Sequence, residues 1–200
     1  MFKKIILLLS VLLLSSACGI FTPVTLPKVY YYVIDLPNQS THDDTCQTTS
    51  DKSLQITRMQ AITPFDSNKM VYSTSKYELA EYAYNKWSAT PNSMLTATIE
   101  EYLAKSCLYK SVVSSDFMTT ASLRLNTRLL ELTHIVTDDK TAKVDLVISV
   151  QLVDNASNTV IKSKTFVETV DAQVTPESFA NQANAANQMF LQDLVNWLKQ

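Results

Sequence analysis

The sequence predicts an α+β fold, a two-layer sandwich in which a mostly antiparallel sheet of about six or seven strands carries two helices on one face. Three observations lead to this prediction: several stretches are rich in β-branched and aromatic residues, two amphipathic segments each follow a Thr-Pro pair, and the turn segments are rich in Asn and Asp. The chain has 200 residues, 46% of them apolar, which fits one domain with one packed core.

Residues 1–17 have the parts of a secretory signal peptide: a basic start at Lys3 and Lys4, a short apolar run, and small residues before Cys18. The apolar run is too short for a stable membrane span. The small residues before Cys18 resemble the lipobox of bacterial lipoproteins, although Ser15 stands where leucine is usual. This resemblance implies that residues 1–17 are removed and that Cys18 is lipidated, with a diacylglycerol on the thiol and a fatty acid such as palmitate on the new amino terminus.

Several acyl chains would hold a domain firmly on a bilayer, because each buried CH₂ contributes about 0.8 kcal/mol. Gly19 follows the cysteine where aspartate would signal retention, and by resemblance to enterobacterial sorting this favours the outer membrane. The alternative is an ordinary secreted protein cut near Ala17. Residues 18–28 contain two prolines and no periodicity, which predicts an extended, lipidated tether, and the folded domain is expected over residues 29–200.

The N-terminal half predicts four strands. Residues 29–36 are β-branched and aromatic, and residues 53–59 alternate in polarity. Residues 69–73 and 77–84 predict the two strands of a hairpin, although the second segment also fits a helical turn.

Three long strands are predicted between residues 122 and 170. In the first, 122–136, the inward-facing phase shifts at Leu129-Leu130, which indicates a bulge or bend. Residues 144–152 alternate strictly between apolar and mostly polar side chains, which is typical of a strand with one dry and one mostly wet face. Residues 160–170 follow, and Asn and Asp in the turns take the place of glycine because they tolerate positive φ.

Two helices are predicted from Thr-Pro starts, each with an N-cap residue and proline at the first helical position. Thr90-Pro91 begins a helix that ends near Leu108, and its connection to the sheet is of β-α-β type. Thr175-Pro176 begins the last helix. One apolar stripe of the last helix is expected to dock on the sheet: Phe179, Ala183, Ala186, Phe190, Leu194 and Trp197.

Gly19 is the only glycine of the chain. Dinucleotide-binding fingerprints, Walker A loops, kinase glycine loops and nucleophile elbows all need glycine, so these nucleotide-binding and hydrolase motifs are excluded. The net charge of −2 gives no indication of a nucleic-acid partner.

Cys46 and Cys107 remain once Cys18 is lipidated, an even number in an oxidising compartment. A disulfide between them would close a loop of about 60 residues and contribute about 4 kcal/mol by the chain-entropy model. The alternative is that Cys107 is a small buried apolar residue and Cys46 lies on a loop. Residues 42–46 include His42, Asp43 and Asp44 but lack the paired spacing of zinc sites, so we expect a solvated loop and no metal.

Histidine is the usual general base near neutral pH, and the chain has two, His42 and His134. His134 falls in a predicted strand without a recognisable acid–nucleophile pair, and we expect a residue on the sheet surface. We therefore predict no catalytic residues, no cofactor and no enzymatic activity.

A run of aromatic residues is a candidate contact for a protein partner: Tyr72, Tyr77, Tyr82, Tyr84 and Trp87. The alternative is that at least half of them pack as core against the helix. The wet face of the sheet is the other candidate contact.

Four segments resemble the ABC-type transport auxiliary (PqiC-like) lipoprotein family. Residues 31–34 read Tyr-Tyr-Val-Ile, similar to the first strand of that family, and residues 68–73 resemble its next strand. Residues 77–87 resemble the strand that ends in a tryptophan before the amphipathic helix of the family, which residues 94–108 match.

That family works beside MCE proteins and their ABC transporters, which move lipids or other hydrophobic compounds across the envelope. The resemblance implies a lipoprotein on the periplasmic face of the outer membrane that docks to an MCE-domain protein or to ABC transporter subunits. The alternative is an outer-membrane assembly lipoprotein that partners a β-barrel protein. A second copy of the chain is a further candidate partner.

Overall fold

The computed structural model describes residues 25–36, 49–117, 120–137 and 140–200, which form nine strands and two helices. The strands are β1 (Tyr30–Tyr32), β2 (Ser53–Ile56), β3 (Gln60–Ala61), β4 (Lys69–Ser75), β5 (Glu78–Trp87), β6 (Ser111–Ser114), β7 (Leu123–Val136), β8 (Ala142–Asp154) and β9 (Thr159–Ala172); the helices are α1 (Pro91–Lys105) and α2 (Pro176–Lys199). Neither of these helices is long and apolar enough to span a bilayer. The predicted signal peptide, Cys18, residues 19–24 of the tether, and the loop with His42, Asp43, Asp44 and Cys46 lie outside the described residues.

Strand β7 lies at the centre of the sheet. Along one edge it pairs antiparallel with β8, which in turn pairs antiparallel with β9. Along the other edge β2, β3 and β4 pair with successive parts of β7, all of them parallel to it. The sheet continues from β2 to β6 at one end, and from β4 through β5 to β1 at the other.

The predicted mixed fold with two helices on a sheet is confirmed, and most of the paired residues are antiparallel, but the prediction gave too few strands and missed the parallel pairings. The described residues contain nine strands rather than six or seven, and parallel pairings join β7 to three strands as well as β2 to β6 and β1 to β5. Side-chain alternation is the same in parallel and antiparallel strands, so the sequence pattern does not reveal direction. Strand β3 has two residues, too few to leave any periodic signal.

Several predicted element boundaries also change. The first two strands are shorter than predicted, at 30–32 and 53–56. In the ambiguous segment at 77–84, Tyr77 lies in the turn before β5 and the other residues belong to that strand, so the segment is not helical. Helix α1 ends at Lys105, close to the expected position.

Both helices pack on one side of the sheet and share its hydrophobic core. Along β8, the side chains of Val144, Leu146, Ile148, Val150 and Leu152 are buried on that side. The intervening residues of β8 are exposed or half-buried on the other side, so the predicted dry and wet faces are confirmed. We call the side of the sheet away from the helices the open face.

A bulge in β7 reverses which residues point into the core. Leu129 pairs with Ile148, but the next pair along β8 joins Glu131 to Val147, so Leu130 is left over. Before the bulge the odd-numbered residues of β7 are buried, and after it the even-numbered Leu132 and His134 are buried, together with Thr133 between them. The predicted phase shift is therefore confirmed.

The two helix starts differ in their capping. At α2 the Thr175 hydroxyl accepts a hydrogen bond from the Ser178 amide at 3.1 Å, as an N-cap residue should. At α1 the Thr90 side chain makes no such bond and instead donates to the Ser93 hydroxyl at 3.1 Å. The proline after each threonine stands at the predicted position in both helices.

The predicted stripe on α2 packs against β8 and β9. Phe190 meets Phe166 of β9 edge-on, with ring centroids 5.3 Å apart, and the half-buried Trp197 packs edge-on to the same ring. The helices contact each other through a buried polar pair, in which the Asn187 amide donates to the Thr98 hydroxyl at 3.2 Å. Because both groups are bonded, burying this polar pair carries little penalty.

Two non-glycine residues adopt positive φ in the part of the chain that the structure describes. Asn158, in the turn between β8 and β9, has φ 52°, in agreement with the prediction that Asn and Asp replace glycine in the turns. Cys107, just after the C-cap of α1, has φ 57°. This is the position where helices commonly end in a left-handed glycine, and the sequence pattern gave no indication of it.

Candidate docking surface

The five aromatic residues singled out from the sequence divide into a packed group and an exposed group. Trp87 is 1% exposed and meets Phe179 of α2 edge-on at 5.3 Å. Tyr72 and Tyr82 are half-buried, with ring centroids 4.6 Å apart. Tyr77 at the β4–β5 turn is 90% exposed, and Tyr84 on β5 is 50% exposed. Three of the five are therefore occupied within the fold, and two are available to a partner.

Tyr84 belongs to a larger apolar surface at the β1 end of the sheet. Strand β1 pairs in parallel with the end of β5, which places Tyr30 opposite Asn85 and Tyr31 opposite Lys86, two residues beyond Tyr84. Tyr30, Tyr31 and Val33 are all about half exposed or more, and Tyr31 is 62% exposed. The apolar edge is the name we use for Tyr30, Tyr31, Val33 and Tyr84.

The sequence analysis missed β1 as part of this surface, although a signal was present. Three tyrosines in succession at residues 30–32 of a strand cannot all face the core of the domain, because successive side chains point to opposite faces of the sheet. Here Tyr32 is half-buried, and its hydroxyl donates to Asn85 at 3.3 Å. The other two tyrosines, Tyr30 and Tyr31, are exposed.

The apolar edge also offers backbone hydrogen-bonding groups. In the described residues β1 is the last strand at this end of the sheet, and it covers only residues 85–87 of β5. The outer side of β5 from residue 78 to residue 84 has no strand partner among them. An extended segment of another protein can pair with such an edge while its side chains contact the exposed aromatics.

Helix α2 holds the segment that follows β1. The Asn184 side-chain amide donates to the Val33 carbonyl at 2.9 Å, and its oxygen accepts from the Asp35 amide at 2.8 Å. One side chain thus replaces a strand partner for two backbone groups. Between them, the buried Ile34 anchors the segment in the core.

His134 lies in the core, which corrects the expectation of a surface position. Its Nδ1 is 2.8 Å from the Tyr82 hydroxyl, its Nε2 is 3.1 Å from the Gln173 carbonyl oxygen, and its ring stacks on Phe179 at 5.1 Å. The carbonyl can only accept, so Nε2 carries the proton and Nδ1 accepts from Tyr82. The β7 bulge is the physical reason for the correction, because without it residue 134 would face outwards, as Arg124 and Arg128 do.

Burial lowers the pKa of His134 below its ordinary value, against a smaller opposing effect of the hydrogen bond to Gln173. Burial likewise raises the pKa of Tyr82 to about 12, with a smaller contribution from Tyr72. Both groups are therefore neutral at pH 7, and both nitrogens of His134 are already bonded. This arrangement stabilises the core and leaves no free nitrogen on the ring for a substrate.

Cys107 is disulfide-bonded, and the other two cysteines of the chain lie outside the described residues. The backbone near Cys46 comes close to Cys107: the Thr49 amide donates to the Cys107 carbonyl at 3.1 Å. The Thr49 hydroxyl also donates to the Leu108 carbonyl at 3.1 Å. The chain three residues after Cys46 is thus fixed beside Cys107, and this proximity supports the proposed Cys46–Cys107 pairing.

The family model for the ABC-type transport auxiliary lipoprotein component matches residues 32–195, which includes every strand from β2 to β9, helix α1 and all but the last four residues of α2. No curated protein matches the sequence.

Two solved structures share the fold at low sequence identity. Protein XCC0632 from Xanthomonas campestris is 16% identical, with a TM-score of 0.70 over 85% of this chain and 94% of its own. An uncharacterised protein is 14% identical, with a TM-score of 0.62 over 86% of this chain and 98% of its own. At such identities the likeness concerns the fold alone.

Proposed function

The chain belongs to the family of ABC-type transport auxiliary lipoprotein components, and we propose that it is the outer-membrane-anchored docking component of an MCE-type transport system for lipids or other hydrophobic compounds. In this role it binds a protein partner and performs no chemistry. The observation that carries the docking role is the apolar edge, where exposed aromatic side chains adjoin an unpaired strand edge. Tyrosine is enriched in protein interfaces because it buries a large area at low entropic cost.

The anchor and the apolar edge are close in the chain. Cys18 precedes Tyr30 by 12 residues. A fully extended chain spans at most about 3.3–3.6 Å per residue, so the edge stays within about 40 Å of the lipidated residue. Lipidation at Cys18 would therefore hold the apolar edge near the membrane surface, facing a transport complex that reaches it from the periplasm.

The anchoring is tested with a Cys18→Ser variant expressed in the bacterium that naturally produces the protein. We expect the wild-type protein to sediment with outer-membrane vesicles on a sucrose gradient and the variant to remain in the periplasmic extract. A variant that still fractionated with membranes would overturn the assignment of Cys18. Wild-type protein in the inner-membrane fraction would overturn the outer-membrane assignment.

The docking is tested by copurification with the MCE-domain protein of the same cell after mild crosslinking. The double variant Tyr31→Ser/Tyr84→Ser removes two exposed aromatics from the apolar edge. The control is Phe117→Ser, because Phe117 is 67% exposed and follows β6, at the far end of the sheet. We expect loss of the MCE-domain protein with the double variant only. Retention of that partner by the double variant would exclude the apolar edge, and its absence from the wild-type sample would contradict the MCE assignment.

A further inference from the structure

The chain has three arginines, and all three line one concavity on the open face of the sheet. Arg124 and Arg128 project from β7, and Arg58 lies just after β2. The concavity encloses about 500 Å³ and shares no residue with the apolar edge. Guanidinium groups are suited to bidentate recognition of carboxylates and phosphates, so their convergence points to an anionic ligand.

Neighbouring amide side chains hold two of these guanidinium groups in place. Arg124 donates to the side-chain oxygens of Asn155 and Asn158, each at 3.1 Å. Arg128 donates to the Gln60 side-chain oxygen at 2.8 Å. These acceptors orient the guanidinium groups without neutralising them, and neither arginine is in an ion pair within the part of the chain that the structure describes.

Arg58 differs because a carboxylate already neutralises it. Its Nε and Nη2 atoms each lie 3.0 Å from one oxygen of Asp116, and both side chains are largely exposed. The net positive charge of the concavity therefore comes from Arg124 and Arg128. These two residues are four apart on one strand face, which separates their Cα atoms by about 13 Å.

The lining of the concavity suits a polar ligand and not an acyl chain. Leu130 is the one apolar side chain among the residues that line it. Between the two arginines lies Asn126, with Gln151 opposite it on β8 and Ser149 opposite Arg128. These amide and hydroxyl groups add hydrogen-bonding capacity along the floor, where an apolar chain would find no dry surface.

We propose that this concavity binds an extended acidic segment of a protein partner, with carboxylates that pair with Arg124 and Arg128. In an extended segment, acidic residues four apart are separated by the same distance of about 13 Å as the two arginines. The segment lies along β7 and leaves its apolar residues outside the concavity. This site does not depend on the membrane or the transport system assigned above.

The test uses the full-length lipoprotein in detergent micelles, labelled with ¹⁵N. Because there are three arginines in the chain, the arginine Nε–H signals report on this concavity alone. The probes are a threonine-rich peptide with glutamates four residues apart, the same peptide with glutamine in place of glutamate, inorganic phosphate, and vesicles of phosphatidylglycerol. The variants are Arg124→Gln/Arg128→Gln and, as a control with the same loss of charge, Lys164→Gln/Lys199→Gln, since both lysines are exposed outside the concavity.

We expect the glutamate peptide to shift the Nε–H signals of Arg124 and Arg128, and its Kd to rise about tenfold or more in the arginine double variant. The lysine double variant should bind like the wild type, and added salt should weaken binding. Equal binding of the glutamine peptide, or no shift with the glutamate peptide, would overturn the proposal. Shifts with phosphate or phosphatidylglycerol but not with the glutamate peptide would also overturn it, in favour of a phosphate or lipid headgroup.

Discussion

The Tyr82 hydroxyl donates to Nδ1 of His134 across 2.8 Å, and this bond joins strand β5 to the centre of the sheet. The two residues are 52 positions apart in the chain. Tyr82 is half-buried beside Tyr72, while His134 is fully buried against Phe179. Strand β5, which carries Tyr84 of the apolar edge, is thereby fixed to the core by a polar contact whose strength depends on pH.

Removing the Tyr82 hydroxyl should destabilise the domain. In Tyr82→Phe, Nδ1 of His134 remains buried without a donor, which costs about 1–3 kcal/mol. Urea unfolding followed by tryptophan fluorescence measures the change. Tyr84→Phe is the matched control, since Tyr84 is half exposed, and its effect should stay within about 0.5 kcal/mol. Equal stabilities of the two variants would show that the Tyr82–His134 bond contributes nothing.

The free energy of unfolding should fall as the pH drops below 6.5, the ordinary pKa of histidine. The pKa of His134 is lowered in the folded state, so below pH 6.5 the unfolded chain binds more protons than the folded one. The contribution of the buried, neutral His134 to the free energy of unfolding is therefore complete above pH 6.5 and is lost on acidification. Urea unfolding at pH 7.5 and pH 5.5 should show this loss in the wild type and a smaller loss in His134→Gln. The same slope in both proteins would contradict this role of His134.

Two substitutions at Cys107 should separate the disulfide from the backbone conformation. Cys107→Ala removes the disulfide and keeps a Cβ atom at φ 57°, whereas Cys107→Gly removes the disulfide and relieves the strain. The glycine variant should be more stable than the alanine variant by about 1 kcal/mol. Both should be less stable than the oxidised wild type, by up to about 4 kcal/mol. A thiol titration of the denatured, unreduced protein should find no free thiol, and two free thiols would exclude the Cys46–Cys107 bond.

Trp87 and Tyr77 should behave as opposites, although both belong to the same aromatic run. Trp87→Ala opens a cavity beneath α2 and should cost about 3–5 kcal/mol, while Tyr77→Ser should change stability by no more than about 0.5 kcal/mol. Trp87→Phe fills more of this cavity than Trp87→Ala does, and it replaces the alanine variant in the measurement if that variant does not fold. Thermal unfolding by circular dichroism measures all three variants. A Trp87→Phe variant as stable as the wild type would contradict the core position of this residue.

Features that depend on neighbouring residues in the chain could be predicted from the sequence. The Thr-Pro helix starts, the alternation of β8 and the phase shift in β7 are local patterns, and the structure confirms each of them. Features that depend on distant partners could not. The parallel pairing of β2, β3 and β4 with β7 leaves no mark on side-chain alternation, because both directions expose alternate residues.

The same distinction applies to the candidate sites. The exposed position of Tyr84 and the buried position of Trp87 depend on how β5 pairs with β1 and packs against α2. The arginine concavity joins side chains from three regions of the chain, those of β2–β3, β7 and β8. The burial of His134 follows from the bulge in β7. Predicting any of these features requires knowledge of the tertiary structure.

The measurement that tests the docking role most directly is photocrosslinking in living cells from the apolar edge. A photoreactive amino acid replaces Tyr84 in one strain and Phe117, which is exposed at the other end of the sheet, in a second strain. After irradiation, we expect a crosslinked product containing the MCE-domain protein from position 84 and none from position 117. The same product from both positions, or from position 117 alone, would contradict docking through the apolar edge. Absence of any product with a transport subunit from either position would contradict the proposed function itself.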